Sequence, residues 1–92
     1  MLKIRQTSQF KKDLKAAIRQ KCDIQLLDQV ISRLACRKPL DEKHHDHALS
    51  GDLGKYRECH IAPDWLLIYR IKEDVLVLSL VRLGSHAKLF GK

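Results

Sequence analysis

No run of apolar residues in this sequence approaches the ~20 needed to cross a bilayer, so no membrane span is expected. The opening Met1-Leu2-Lys3-Ile4-Arg5 lacks an apolar stretch and a small-residue cleavage site, which argues against a secretory leader. Cysteine is sparse: Cys22, Cys36 and Cys59 are odd in number and form no C-x-x-C pair, the pattern of reduced, mostly buried thiols in a cytosolic protein. Acidic residues are also in deficit. Eleven Asp and Glu face eighteen Lys and Arg, and the resulting net charge of +7 points to a polyanionic partner, either nucleic acid or an acidic protein, over a merely soluble basic surface.

What the chain does have is enough apolar content, 45% of 92 residues, for one folded domain with a modest core that needs neither metal nor disulfide. Met1 to Gln6 alternates as a short strand. Thr7 and Ser8 are cap candidates for a helix whose apolar face is Phe10, Leu14, Ala17 and Ile18, with Lys11, Lys12, Lys15 and Arg19 on the remainder. Asp23 caps a second helix, with Ile24, Leu27, Val30, Ile31 and Leu34 at helical spacing and Pro39 closing it off. The short join makes the two a helical hairpin. Arg37 to Gly54 has no period and reads as a long loop, which in a small domain is usually functional or mobile.

After the loop the period becomes two. Lys55–Ile61, Trp65–Ile71 and Val75–Arg82 read as three strands joined by turns too short for anything but antiparallel hairpins. With three-residue turns, Ile61 faces Trp65, Ile71 faces Val75, Leu66 lies between His60 and Leu80, and Asp64 lies near Arg82. His60 and Arg82 then share one sheet face. Trp65, Leu67, Tyr69, Ile71, Val75, Val77 and Val81 form the apolar face that receives the helices; a one-residue slip would invert this. The expected class is α+β: an N-terminal strand, a two-helix hairpin and an antiparallel β-meander, in one sheet and one domain spanning residues 1–92.

Three separated histidines, His47, His60 and His86, with Asp64 and Arg82, hold the residue types for metal-free cleavage of RNA through its own 2′-hydroxyl. Histidine takes and gives protons near neutrality, and the planar arginine fork matches a phosphorane. Each has a plainer reading. His60 can be a half-buried sheet residue, Asp64 a turn former after Pro63, and His86 a cap on a terminal turn. Trp65 fits the core better than a base-stacking platform, whereas Phe90, near the terminus, is the better stacking candidate. Arg57 is a candidate substrate contact or a solvent-facing side chain. His44-His45-x-His47 invites zinc, but a closed site needs four ligands and Cys59 is the one nearby thiol. No metal and no cofactor is expected.

Three motifs carry a resemblance: Asp46-His47-Ala48-Leu49-Ser50-Gly51, Tyr56-Arg57-Glu58-Cys59-His60-Ile61-Ala62-Pro63-Asp64-Trp65 and Arg82-Leu83-Gly84-Ser85-His86-Ala87-Lys88-Leu89-Phe90-Gly91. With them the whole chain resembles the YafQ-like branch of the RelE/ParE superfamily of bacterial type II toxin–antitoxin systems. The resemblance implies a RelE/ParE-like fold and a cytoplasmic endoribonuclease, an mRNA interferase that cuts mRNA on the ribosome and is silenced by an acidic antitoxin of the DinJ/RelB type. It places the catalytic positions at His47, His60, Asp64 and His86, and site or substrate contacts at Trp65, Arg82 and Phe90. Related branches use lysine, arginine and tyrosine, or bind gyrase without cutting RNA, so a ParE-like protein binder is the alternative, and a non-catalytic RNA-binding module a third.

Overall fold

The computed structural model describes residues 1–51 and 54–91. Strand β1, Lys3–Gln6, leads into helix α1, Ser8–Arg19, whose cap is Thr7: its hydroxyl oxygen accepts from Phe10 N–H at 3.0 Å and donates to the Val81 carbonyl at 2.8 Å. One side chain thus starts the helix and moors it to the sheet. Lys21, with positive φ, turns the chain into helix α2, Ile24–Ala35, where Asp23 accepts from Gln25 and Leu26 N–H as expected. Phe10, Ala17, Leu27, Val30, Leu34 and Ala35 are buried on the facing stripes, whereas Ile18, assigned to the apolar face from its spacing, is exposed.

The region read as one long loop has more structure than its lack of period implies. A 3₁₀ turn, Glu42–His44, is followed by a two-residue edge strand β2, His47–Ala48. The part of that loop at Asp52 and Leu53 lies outside the described residues. Strands β3, Arg57–Ala62, β4, Trp65–Lys72, and β5, Val77–Gly84, form the meander, and a five-residue helix α3, His86–Phe90, closes the chain. The sheet has five strands in the order β1-β5-β4-β3-β2, with β1 parallel to β5 and the other pairs antiparallel.

Both hairpin registers differ from those expected. Ala62, not Ile61, pairs with Trp65, so the first turn is Pro63-Asp64, and a bulge between His60 and Ala62 restores His60 opposite Leu66. In the second hairpin Lys72 pairs with Val77, which leaves Val75 and Leu76 in the turn, exposed, rather than on the core face. A second bulge at Val81 puts Tyr69 opposite Leu80 and Ile68 opposite Arg82. Leu66 therefore lies between His60 and Gly84, not Leu80. Because a bulge shifts side-chain parity by one, Leu78, Leu80 and Leu83 face the helices with Cys59, Ile61, Trp65, Leu67 and Tyr69, and Arg82 stays on the opposite face. Of the cysteines only Cys59 is fully buried; its thiol is pushed up to about 12 by burial, with further help from Asp46 and Glu58.

Candidate active site

The sheet face turned away from the helices carries the chemistry. Pairing across the strands places His47 opposite Glu58, Glu58 opposite Ile68, Ile68 opposite Arg82, and His60 opposite Leu66, which in turn faces Gly84. Leu66 and Ile68 are buried, with 0% and 8% exposure, and form an apolar floor between the polar groups. Charges held over such a floor are less screened than on an open surface.

His60 is the hub. Its Nε2 lies 3.6 Å from Glu58 Oε1, and His47 Nε2 approaches the same oxygen at 3.8 Å. Its ring meets those of His45 and His86 edge-on, with centroids 5.3 and 5.7 Å apart. Its backbone carbonyl accepts from His44 Nδ1–H at 2.6 Å, which ties the 3₁₀ turn to β3, while His47 Nδ1–H donates to the His45 carbonyl at 2.6 Å. Burial lowers the pKa of His60, opposed by the Glu58 carboxylate and reinforced by the neighbouring histidines, so the neutral, proton-accepting ring is favoured at neutral pH.

His86 enters from α3. Ser85 caps that helix, accepting from Lys88 N–H at 3.2 Å. Asp64, in the Pro63-Asp64 turn, accepts from the His86 backbone N–H at 3.2 Å and stands 3.2 Å from His86 Nδ1. These contacts, the backbone N–H first, hold Asp64 below the usual carboxylate range. Asp64, expected near Arg82, pairs with His86 instead, because the shorter turn brings it toward the chain that leaves β5. Phe90, partly exposed, stands 6.2 Å from the His86 ring.

Arg82 reaches across the β5 edge to α1. Its Nε–H donates to Asp13 Oδ2 at 2.9 Å, and that carboxylate is itself buried. Two of the expected contacts lie elsewhere. Trp65 is 8% exposed and packs in the core, where it is no stacking platform. Arg57 points to the other face, toward Asp46 and the Tyr69 hydroxyl, which itself donates to Asp46. That arrangement anchors the chain just before β2. Glu58 and Asp13 escaped notice in the sequence, although Glu58 shares a strand face with His60 by its two-residue spacing and Asp13 falls on the apolar stripe between Phe10 and Ala17.

Among the described residues, Glu58, His60 and His86 offer ligand atoms within 4.8 Å of one another, a three-ligand set able to take a metal ion with a position left open. The His44-His45-x-His47 run does not form such a set.

Comparison with known proteins shows the family to which the chain belongs. Residues 2–91 match the family described as "Bacterial toxin of type II toxin-antitoxin system, YafQ". The chain is 36% identical over 89 residues to the mRNA interferase toxin YafQ of Escherichia coli K12, covering 96% of this chain and 95% of that one. Among solved structures, a metal-bound toxin from Helicobacter pylori superposes with a TM-score of 0.93 at 48% identity, over 98% of this chain and all of that one. The toxin in an E. coli DinJ-YafQ complex superposes with a TM-score of 0.90 at 35% identity, over 99% of this chain and all of that one. This chain is a member of the YafQ family of bacterial type II toxins.

Proposed function

We propose that this toxin is a ribosome-dependent mRNA interferase that cleaves RNA by attack of the substrate's own 2′-hydroxyl, with His60 as base and His86 as acid. The observation that carries the reading is the pair of imidazoles 5.7 Å apart on one sheet face, each beside its own carboxylate, Glu58 for His60 and Asp64 for His86. His60, kept neutral by burial, accepts the 2′-OH proton. The 2′-oxygen bonds to phosphorus as the bond to the 5′-oxygen breaks, and His86 gives its proton to that leaving oxygen. Asp64 at Nδ1 orients the ring so that Nε2 is the nitrogen free to meet substrate. Arg82, in line with Ile68 on the same face, neutralises the phosphorane oxygens. His47 shares Glu58 with His60 and supports the base side. Phe90, partly exposed beside His86, stacks on a base of the substrate. No step requires a metal ion or other cofactor.

The net charge of +7 suits both mRNA and an acidic antitoxin. The relative crystallised with DinJ supports an antitoxin of that type as the cytoplasmic partner of this chain. The test is primer extension on an mRNA with and without ribosomes, together with a substrate carrying 2′-O-methyl at the cut position. Cleavage is expected with ribosomes, leaving a 2′,3′-cyclic phosphate and a 5′-hydroxyl, and is expected to stop at the methylated site. Normal cutting of the methylated RNA would overturn the mechanism, and absence of cutting under both conditions would favour a protein target such as gyrase.

A further inference from the structure

Asp13 is the most densely engaged side chain among the described residues, yet it lies outside the histidine cluster. It sits in the apolar stripe of α1 with 1% exposure. Oδ2 accepts the Leu83 backbone N–H at 2.9 Å and Arg82 Nε–H at 2.9 Å. Oδ1 accepts from Gln9 Nε2 at 3.1 Å and from Arg82 Nη2 at 3.4 Å, and the Lys88 ammonium stands 3.3 Å away. A carboxylate has about four lone-pair sites, so this one is saturated. It joins three elements: α1, β5 and, through Lys88, α3.

Helix α3 has five residues and carries both His86 and Phe90. A helix that short has no stability of its own, so its position is set by its tertiary ties. Lys88 lies midway between His86 and Phe90. Its stem crosses the bare backbone of Gly84, where an added Cβ would stand 2.8 Å from Lys88 Cδ and 3.5 Å from Leu89 Cδ2. The absence of a side chain at Gly84 is what opens the route from α3 down to the buried carboxylate.

We infer that Asp13 is a positioning residue for the proposed RNA cleavage, holding the Arg82 guanidinium in place and latching α3 through Lys88 so that His86 meets His60. This rests on the ribonuclease reading, but its structural half is measurable without RNA. Asp13→Asn leaves two cations beside an uncharged amide at a buried site and risks misfolding. Lys88→Met keeps Asp13 paired with Arg82 and removes the Lys88 tie alone, leaving Asp64 at the start of α3, and Lys88→Arg keeps the latch.

Two readouts decide. In the free protein, nuclear Overhauser contacts between the His60 and His86 rings are expected in the wild type and Lys88→Arg and lost in Lys88→Met. In cleavage of ribosome-bound mRNA, Lys88→Met is expected to lower kcat by about 10-fold with KM changed less than about twofold, Lys88→Arg to recover most of the rate, and Lys88→Met to cost nothing further in a His86→Ala background. A Lys88→Met protein with intact ring contacts and unchanged kcat overturns the inference. So does a rise in KM alone, which would make Lys88 a direct contact to RNA. Loss of ring contacts in Lys88→Met of a protein whose wild type cuts no RNA would support the latch and overturn the ribonuclease reading.

Discussion

Asp64 Oδ1 lies 3.2 Å from both the backbone nitrogen and the ring Nδ1 of His86, so one carboxylate at the β3–β4 turn fixes the start of α3 and the orientation of its histidine together. If His86 is the acid, Asp64 acts through it. His86→Ala is expected to lower the cleavage rate by roughly 10²–10⁴-fold, as loss of a proton-transfer group does. Asp64→Asn retains an oxygen for the backbone N–H and is expected to lose less rate than His86→Ala. In the His86→Ala background Asp64→Asn should cost little more. Both positions are exposed, so thermal unfolding should move little. Equal rate losses that multiply in the double variant would show Asp64 acting on its own.

The base side carries a pH signature. Burial, the larger influence, places His60 below its ordinary 6.5, while the Glu58 carboxylate pulls the other way. A base must be unprotonated, so the rate should fall as the medium is acidified through the His60 pKa, with an inflection below 6.5. Replacing Glu58 by Gln removes the opposing charge, and the inflection should move further to the acid side. A shift toward higher pH in Glu58→Gln would show that Glu58 does not act on the base electrostatically. The pH–rate profile of single-turnover cleavage reads both.

Metal should oppose the reaction, not serve it. The proposed proton transfers use the imidazole nitrogens that His60 and His86, beside the Glu58 carboxylate, would also present to an ion. Chelation with EDTA is expected to leave cleavage of an isolated RNA, or of mRNA on ribosomes that remain intact, within about twofold, and added zinc should suppress it by occupying the acid and the base at once. Activity abolished by EDTA and restored by zinc would reverse the assignment.

Much of this arrangement is legible in the sequence, and what is not has a local cause. Period and caps locate α1 and α2, because Thr7 and Asp23 are capping residues that precede clear apolar stripes. The three strands of the meander follow from alternation. The bulges do not, since an extra residue such as Val81 is chemically like its neighbours and leaves no mark in the alternation. The face assigned to Arg82 agrees with the structure only because that bulge reverses the parity set by the longer turn: Leu80, expected beside Arg82, faces the helices. The two-residue strand β2 and the 3₁₀ turn are held by contacts to β3, which the loop's own composition cannot reveal. Arg57 misleads because it shares a motif with His60 but sits an odd number of residues away, and odd spacing in a strand means the opposite face.

Association with an acidic antitoxin should depend on charge. With a net charge of +7, long-range attraction steers the encounter, and screening shortens its reach as salt rises. Stopped-flow measurement with the cognate antitoxin is expected to give an association rate that falls by roughly 10-fold or more from low to near-molar salt, with a smaller change in dissociation. A rate that is flat across that range would place the recognition in apolar contacts alone.

The buried carboxylate of α1 makes a further prediction, on stability. Burial alone would raise the pKa of Asp13, but hydrogen bonds from Arg82, the Leu83 backbone, Gln9 and Lys88 outweigh it and lower the group from 3.8 to about 2. In the unfolded chain those partners are gone and the ordinary value returns. A carboxyl with a depressed folded pKa stabilises the fold at pH values above its unfolded pKa, and that contribution is lost as pH falls through the window between the two, here from about 4 to about 2. The amount at stake is on the order of 2 kcal/mol for a shift of this size. Denaturant midpoints measured from pH 7 to pH 2 should therefore drop at the acid end in the wild type. Asp13→Asn should begin lower at pH 7 and fall less steeply below pH 4, because it has no proton to take up at this position. Parallel pH profiles for the two proteins would mean that Asp13 binds its proton equally in the folded and unfolded states, and the ion pairs to Arg82 and Lys88 would then contribute nothing measurable to the fold.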